Sequence, residues 1–188
     1  MIARGSGTEA IYLDYNATAP VKPQVSEAIA KALAMTGNPS SVHQFGRLAR
    51  DAVEQARDQV AAMIGACPRE LAFTSGGTEA NNMALSGAGR GRLIISEIEH
   101  PSVLRAAESQ ADSGAAGNGR ELILLPVDGE GVVSLEALDR ALGEDAGDAL
   151  VSVMLANNET GVIEPVGEIA SPARLRGALV HCDAVQAP

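Results

Sequence analysis

Thr74-Ser75-Gly76-Gly77-Thr78-Glu79-Ala80-Asn81-Asn82 follows a short β-branched and aromatic run and opens a helical pattern. Two adjacent glycines remove Cβ atoms, so backbone N–H groups can close around an oxyanion. The helix beyond them directs its own unpaired N–H groups and its positive dipole end to the same point. The stretch reads as a phosphate cradle without the lysine of a P-loop. Alone, a Gly-Gly turn before a helix is more often a plain connection. Three further segments change that balance: Glu99-His100-Pro101-Ser102-Val103, Ala156-Asn157-Asn158-Glu159-Thr160-Gly161 and His181-Cys182-Asp183-Ala184-Val185-Gln186. Each follows a run that reads as a buried strand, at 92–96, 149–155 and 178–182. Ligands of open α/β sheets gather at the carboxyl ends of strands. A phosphate cradle, an imidazole, an amide and a carboxyl-plus-amide pair therefore converge on one crevice. A flat cofactor with a phosphate tail and a ring nitrogen uses all of them.

Helical and strand patterns alternate along the rest of the chain. Residues 24–35 and 46–64 read as amphipathic helices, the second with Leu48, Ala52, Val53, Ala56, Val60 and Met63 on a helical period. A strand is expected at 70–74, a helix at 78–87, a strand at 92–96 and a helix at 102–113. Glycine and asparagine mark 114–119 as a loop, and a strand follows at 121–127 before the Asp128-Gly129-Glu130-Gly131 turn. Ser134 should cap a helix over 135–142, because a hydroxyl stands immediately before a helical run. Residues 151–155 and 179–182 are apolar enough for burial on both faces. Such βα alternation predicts an α/β fold: three layers, α/β/α, around a mostly parallel sheet.

Composition is that of an ordinary globular domain: 188 residues, 46% hydrophobic, with a core built from aliphatic residues because aromatics are only 2%. A formal net charge of −10 argues against nucleic-acid and anionic-membrane binding. No apolar run approaches the roughly 20 residues of a membrane span. The first eight residues lack the apolar core of a signal peptide, so export is not expected. Cys67 and Cys182 form neither a disulfide framework nor a zinc spacing, and a reduced cytoplasmic setting fits them best. His43, His100 and His181 are too dispersed for a metal site, so none is expected. The Gly-x-Gly-x-x-Gly turn of dinucleotide folds is missing after every expected strand.

The order of these segments resembles the cysteine desulfurases, class V aminotransferase relatives within the fold-type I pyridoxal-phosphate enzymes. Two more stretches carry the likeness: Tyr12-Leu13-Asp14-Tyr15-Asn16-Ala17-Thr18-Ala19-Pro20, and Gly37-Asn38-Pro39-Ser40-Ser41-Val42-His43 followed by Gly46-Arg47. The likeness runs from about Ile11 to the last residue, and the 28 residues from Asn158 to Gln186 also fit the family. It implies pyridoxal 5'-phosphate as cofactor and the transferase large domain as fold. Residues 1–20 would be an arm belonging to the small domain, and 21–188 a partial large domain.

By resemblance, Gly77 and Thr78 hold the phosphate, and Asp183 keeps the ring nitrogen protonated so that the ring draws electrons. Gln186 and Asn158 donate to the cofactor oxygen. His100 lies over the ring, binds the cofactor and serves as the catalytic proton carrier. Glu79 is expected to point away from the phosphate, and Asn157 is the weaker of the two asparagines. His43 reads as an active-site-mouth residue or a subunit contact, and Cys182 as a buried thiol pointing away from Asp183. A sulfur-carrying role for Cys67 has little support.

The implied reaction removes sulfur from L-cysteine, giving L-alanine and an enzyme persulfide for an iron–sulfur scaffold or a thiolation carrier. The implied assembly is a homodimer. In the family, the Schiff-base lysine lies in a Ser-x-His-Lys motif beyond the Asp-Ala-x-Gln segment, and the sulfur-accepting cysteine lies later still. This chain runs to Pro188, and its lysines, Lys22 and Lys31, match neither position. It therefore resembles the N-terminal half of such an enzyme, with little activity expected of it alone. An exposed sheet edge and uncovered apolar surface are the expected physical consequence. The alternatives are a selenocysteine lyase or another class V relative, and a non-catalytic truncated half.

Overall fold

The computed structural model describes residues 11–112 and 119–187, and the chain divides into two compact units, Met1–Phe73 and Thr74–Pro188. In the first unit, helices α1 (Pro23–Leu33) and α2 (Gln44–Ile64) match the periodicity read from sequence. Gly65 ends α2 at φ 68°, the left-handed turn that glycine tolerates without a Cβ penalty. His43 precedes α2 as its N-cap, and its Nδ1 accepts the Gly46 N–H. That supplies a local structural role where the sequence left two others open.

The strand expected at 70–74 does not form. Pro68–Glu70 is instead a 3-10 turn, closed by the Glu70 N–H donating to the Cys67 carbonyl and the Cys67 N–H donating to Glu70 Oε2. Leu71 beyond it is extended, but its carbonyl accepts from Arg57 Nη1 at 2.8 Å, and the same guanidinium lies 4.8 Å from the centre of the Phe73 ring. An arginine side chain has taken the place of a ladder partner. β-Propensity alone could not distinguish the two outcomes.

The second unit holds helix α3 (Gly77–Gly87), then β1 (Arg92–Ser96), α4 (Pro101–Asp112), β2 (Glu121–Leu125), α5 (Leu135–Leu142), β3 (Ala149–Ser152), α6 (Val166–Leu175) and β4 (Leu179–His181). The four strands form one sheet in the order β2-β1-β3-β4, and every pairing is parallel. Strand alternation sorts the core into two faces. Ile94 and Val151 face Leu138, Leu142 and Ile169 of α5 and α6. Leu93, Ile95 and Leu150 face Leu85 of α3 and Val103 and Ala107 of α4. The expected three-layer architecture is present.

Ser134 caps α5 as read from sequence, its hydroxyl accepting the Ala137 N–H at 3.2 Å. Ser134→Ala should lower stability by about 1 kcal/mol, seen as a lower urea midpoint with an unchanged slope; an unmoved midpoint would exclude the cap as a stabilising contact. Sequence pattern does not predict helix α6, because Pro165 and Pro172 punctuate it. Burial of Ile169, Ala170 and Ala173 against the sheet offsets the donor missing at Pro172. The expected burial of the last strand on both faces is corrected: β4 is an edge, and Leu179 remains 41% exposed. On the opposite edge Leu124 of β2 is 52% exposed. The loop read at 114–119 falls, except for Gly119, outside the described residues.

Candidate functional site

Chain order and strand order together locate the crevice. From β1 the chain steps outward to β2, then returns across β1 to β3 and β4. The switch point therefore lies between the carboxyl ends of β1 and β3, where open α/β sheets bind ligands. Glu99 spans that point. It follows β1, is buried, and its Oε1 accepts the N–H of Met154 just beyond β3. Its Oε2 is buried with no hydrogen-bond partner among the described residues. Burial, with smaller contributions from the Asp183 and Glu164 charges, pushes this carboxyl up to about 8, although the Met154 N–H opposes the rise.

Helix α3 is bonded through Asn81 to Ser102 and Asp183, in the segments that follow β1 and β4. Its first backbone bond runs from the Ala80 N–H to the Gly76 carbonyl, so the N–H groups of Gly77, Thr78 and Glu79 point out of the helix mouth. Glu79 turns back to the loop as the charge argument required. Its Oε2 accepts the Ser75 hydroxyl at 2.7 Å and the Ser75 N–H at 2.6 Å, and these bonds lower its pKa. The loop is thereby fixed by a carboxylate that leaves the helix mouth clear. Neither glycine is demanded by the chain itself: Gly76 is extended at φ 164°, and a Cβ at Gly76 or Gly77 would meet nothing within 4 Å. The space around both positions leaves room for close approach of a ligand to the backbone. The cradle fits a phosphate.

One buried amide connects this helix to the other expected residues. Asn81 stands three residues after Thr78 on α3, roughly 5 Å along its axis. Its Nδ2 donates to Asp183 Oδ2 at 2.8 Å and to Ser102 Oγ at 2.9 Å. Ser102 Oγ lies 2.7 Å from His100 Nδ1, which also accepts the Ser102 N–H at 3.1 Å. With that N–H aimed at Nδ1, Nδ1 carries a lone pair, the hydroxyl donates to it, and Nε2 is the nitrogen left for proton exchange. Asp183 Oδ1 accepts the Val185 N–H at 3.1 Å, and the Asp183 carbonyl accepts the Leu155 N–H. Helix mouth, imidazole and carboxyl thus belong to one hydrogen-bonded unit.

Asn157 serves the loop, consistent with its lower ranking. Its Nδ2 donates to the Ile98 carbonyl, and its Oδ1 accepts the N–H groups of Glu159 and Thr160. That pins the turn carrying the half-buried Asn158 to the turn carrying His100. Gln186 lies half-buried in the turn after β4. Cys182 is half-buried rather than buried, with its thiol pushed up by burial and then by the Glu99 and Asp183 charges. His181 Nδ1 lies 2.9 Å from Ser152 Oγ on the adjacent strand, and burial lowers its pKa against the opposing charge of Asp183.

Asn81, Ser102 and Glu99 had no role in the sequence reading. Asn81 carried a usable signal, since asparagine is a poor helix former and here two follow each other inside one. Glu99 and Ser102 flank His100 and carried none.

The sequence matches the aminotransferase class-V family over residues 11–188. Cysteine desulfurase IscS of Dictyoglomus turgidum (strain DSM 6724 / Z-1310) is 44% identical over 183 residues, covering 94% of this chain and 45% of the relative. A solved NifS-like protein superposes with a TM-score of 0.85 at 36% identity, covering 94% of this chain and 49% of that one. The structure described as SspA in complex with cysteine superposes with a TM-score of 0.81 at 31% identity, covering 94% and 51%. This chain spans about half the length of the relatives it matches.

Proposed function

The chain belongs to the class V aminotransferase family, which works with pyridoxal 5'-phosphate, and on that premise we propose that it is the cofactor-binding part of a cysteine desulfurase. One observation carries the reading: Asn81 joins the Asp183 carboxyl to the helix whose mouth begins at Gly77 and Thr78. A ring nitrogen and a phosphate on one small molecule need those two features within reach of each other. Relatives named cysteine desulfurase, and the cysteine in one structural neighbour, support L-cysteine as substrate.

When bound, the cofactor supplies an electron sink for charge left on the substrate carbon. Gly77 and Thr78 bind its phosphate through backbone N–H groups and the threonine hydroxyl. Asp183 holds a proton at the ring nitrogen. Asn158 and Gln186 donate amide hydrogens to the phenolic oxygen, and His100 moves a proton at the substrate carbon through Nε2. We further propose residues 1–20 as an arm of the small domain and 21–188 as part of the large domain. A homodimer, a cytoplasmic setting and an iron–sulfur scaffold or sulfur carrier as acceptor complete the reading. Among the described residues no helix is long and apolar enough to cross a membrane.

The chain alone should bind pyridoxal 5'-phosphate reversibly. Its visible absorbance should wash out on dialysis, and no alanine should be released from cysteine. Thr78→Val should weaken binding about tenfold, the scale of one hydrogen bond to a charged group. A wild-type chain that takes up no cofactor would sink the assignment. Alanine release by the chain alone would overturn the placement of the lysine outside it.

A further inference from the structure

We propose that Asn81 is a positioning residue for two of the groups that would hold the ring, Asp183 at its nitrogen and His100 beside it; this rests on the cofactor reading above. Asn81 is 4% exposed and has two amide hydrogens. Both are committed: one to Asp183 Oδ2 at 2.8 Å, the other to Ser102 Oγ at 2.9 Å. Because Ser102 Oγ accepts from Asn81, its own hydrogen is free for His100 Nδ1, 2.7 Å away. The amide therefore determines two states at once. It holds one oxygen of the acid, and it directs the Ser102 hydroxyl, which joins the Ser102 N–H in keeping the imidazole hydrogen on Nε2.

The location of Asn81 is as informative as its bonds. It lies one helical turn from the phosphate mouth, on the same rigid helix. Neither a caps-and-turns role nor core packing accounts for a buried amide whose two donors end on side chains from two other segments. Sequence neighbours cannot substitute: Asn82 is exposed, and its amide donates to the Thr78 carbonyl at 2.8 Å.

The test is a double-mutant cycle on cofactor affinity with the full chain, measured by equilibrium dialysis of pyridoxal 5'-phosphate. Asn81→Ala should weaken binding about tenfold in the wild-type background, and less than about twofold in Asp183→Ala, because its effect passes through the acid. Equal factors in both backgrounds would overturn the inference. Should Asn81→Ala fail to fold, Ser102→Ala cuts only the imidazole branch. It should change the circular dichroism of the bound cofactor while leaving its affinity within about twofold; an unchanged dichroism spectrum would equally overturn the inference. Failure of the wild type to bind at all identifies the underlying reading as the error, whereas normal wild-type binding with an additive cycle identifies this one.

Discussion

Asp183→Asn should strip the proton from the ring nitrogen of bound pyridoxal 5'-phosphate while leaving the fold intact. The substitution keeps the shape of the side chain, and the remaining carbonyl oxygen can still accept from Asn81, now 2.8 Å from Asp183 Oδ2. What disappears is the negative charge, together with the acceptor of the Val185 N–H in an exposed turn. A charge-assisted hydrogen bond of this kind contributes about 1.5–3 kcal/mol, so cofactor affinity should fall roughly 10- to 100-fold. The ring nitrogen should also move from a protonated to a neutral chemical shift in 15N NMR with ring-labelled cofactor. In a full-length enzyme carrying this half, the same variant should lose cysteine turnover more severely than it loses affinity. A neutral ring accepts charge from the substrate carbon far less readily. A protonated nitrogen in the variant at neutral pH would show that another group holds that proton.

Glu99 should make the second unit less stable as pH rises from acid to mildly alkaline. Its carboxyl is held at about 8 in the fold against an ordinary 4.5. Below 4.5 both folded and unfolded chains carry the proton, and the stability contribution is whole. Between 4.5 and 8 the unfolded chain releases the proton while the folded chain retains it, so each pH unit costs up to about 1.4 kcal/mol. Above 8 the loss is complete, at several kcal/mol. Glu164, also raised chiefly by burial, adds in the same direction. Glu99→Gln should flatten the profile between pH 5 and 8. Its amide oxygen still accepts the Met154 N–H, and no charge has to be buried. Urea midpoints at pH 5, 6.5 and 8 provide the comparison. A wild-type profile as flat as that of the variant would mean that Glu99 ionises freely in the crevice.

Sequence legibility varied from element to element for physical reasons. β1 and β3 are apolar runs bounded by turn chemistry, and central strands of a parallel sheet admit little else. α5 carries its cap in the residue before it, so its start could be read to the residue. At 70–74 and in α6, local preference and tertiary context disagree. Arg57 satisfies a backbone group that a strand would have paired, and core burial sustains a helix that Pro172 interrupts. The site shows the same division. Residues proposed to meet the cofactor were legible, because they stand in turns after strands and carry chemistry that turns do not need. Residues that hold those groups in place were not, because Asn81, Ser102 and Glu99 acquire meaning only from partners far away in sequence.

By itself the sequence determined the class of fold, the segments that line the crevice and the family to which they belong, since each depends on local pattern and order. Only the tertiary structure decided that one amide ties the helix mouth to an acid 102 positions later, and that a carboxyl with one unpaired oxygen spans the switch point. Hydrogen bonds of 2.8 Å between distant segments depend on how the strands stack side by side. That stacking follows from burying both faces of the sheet, a property of the whole unit that no short stretch encodes.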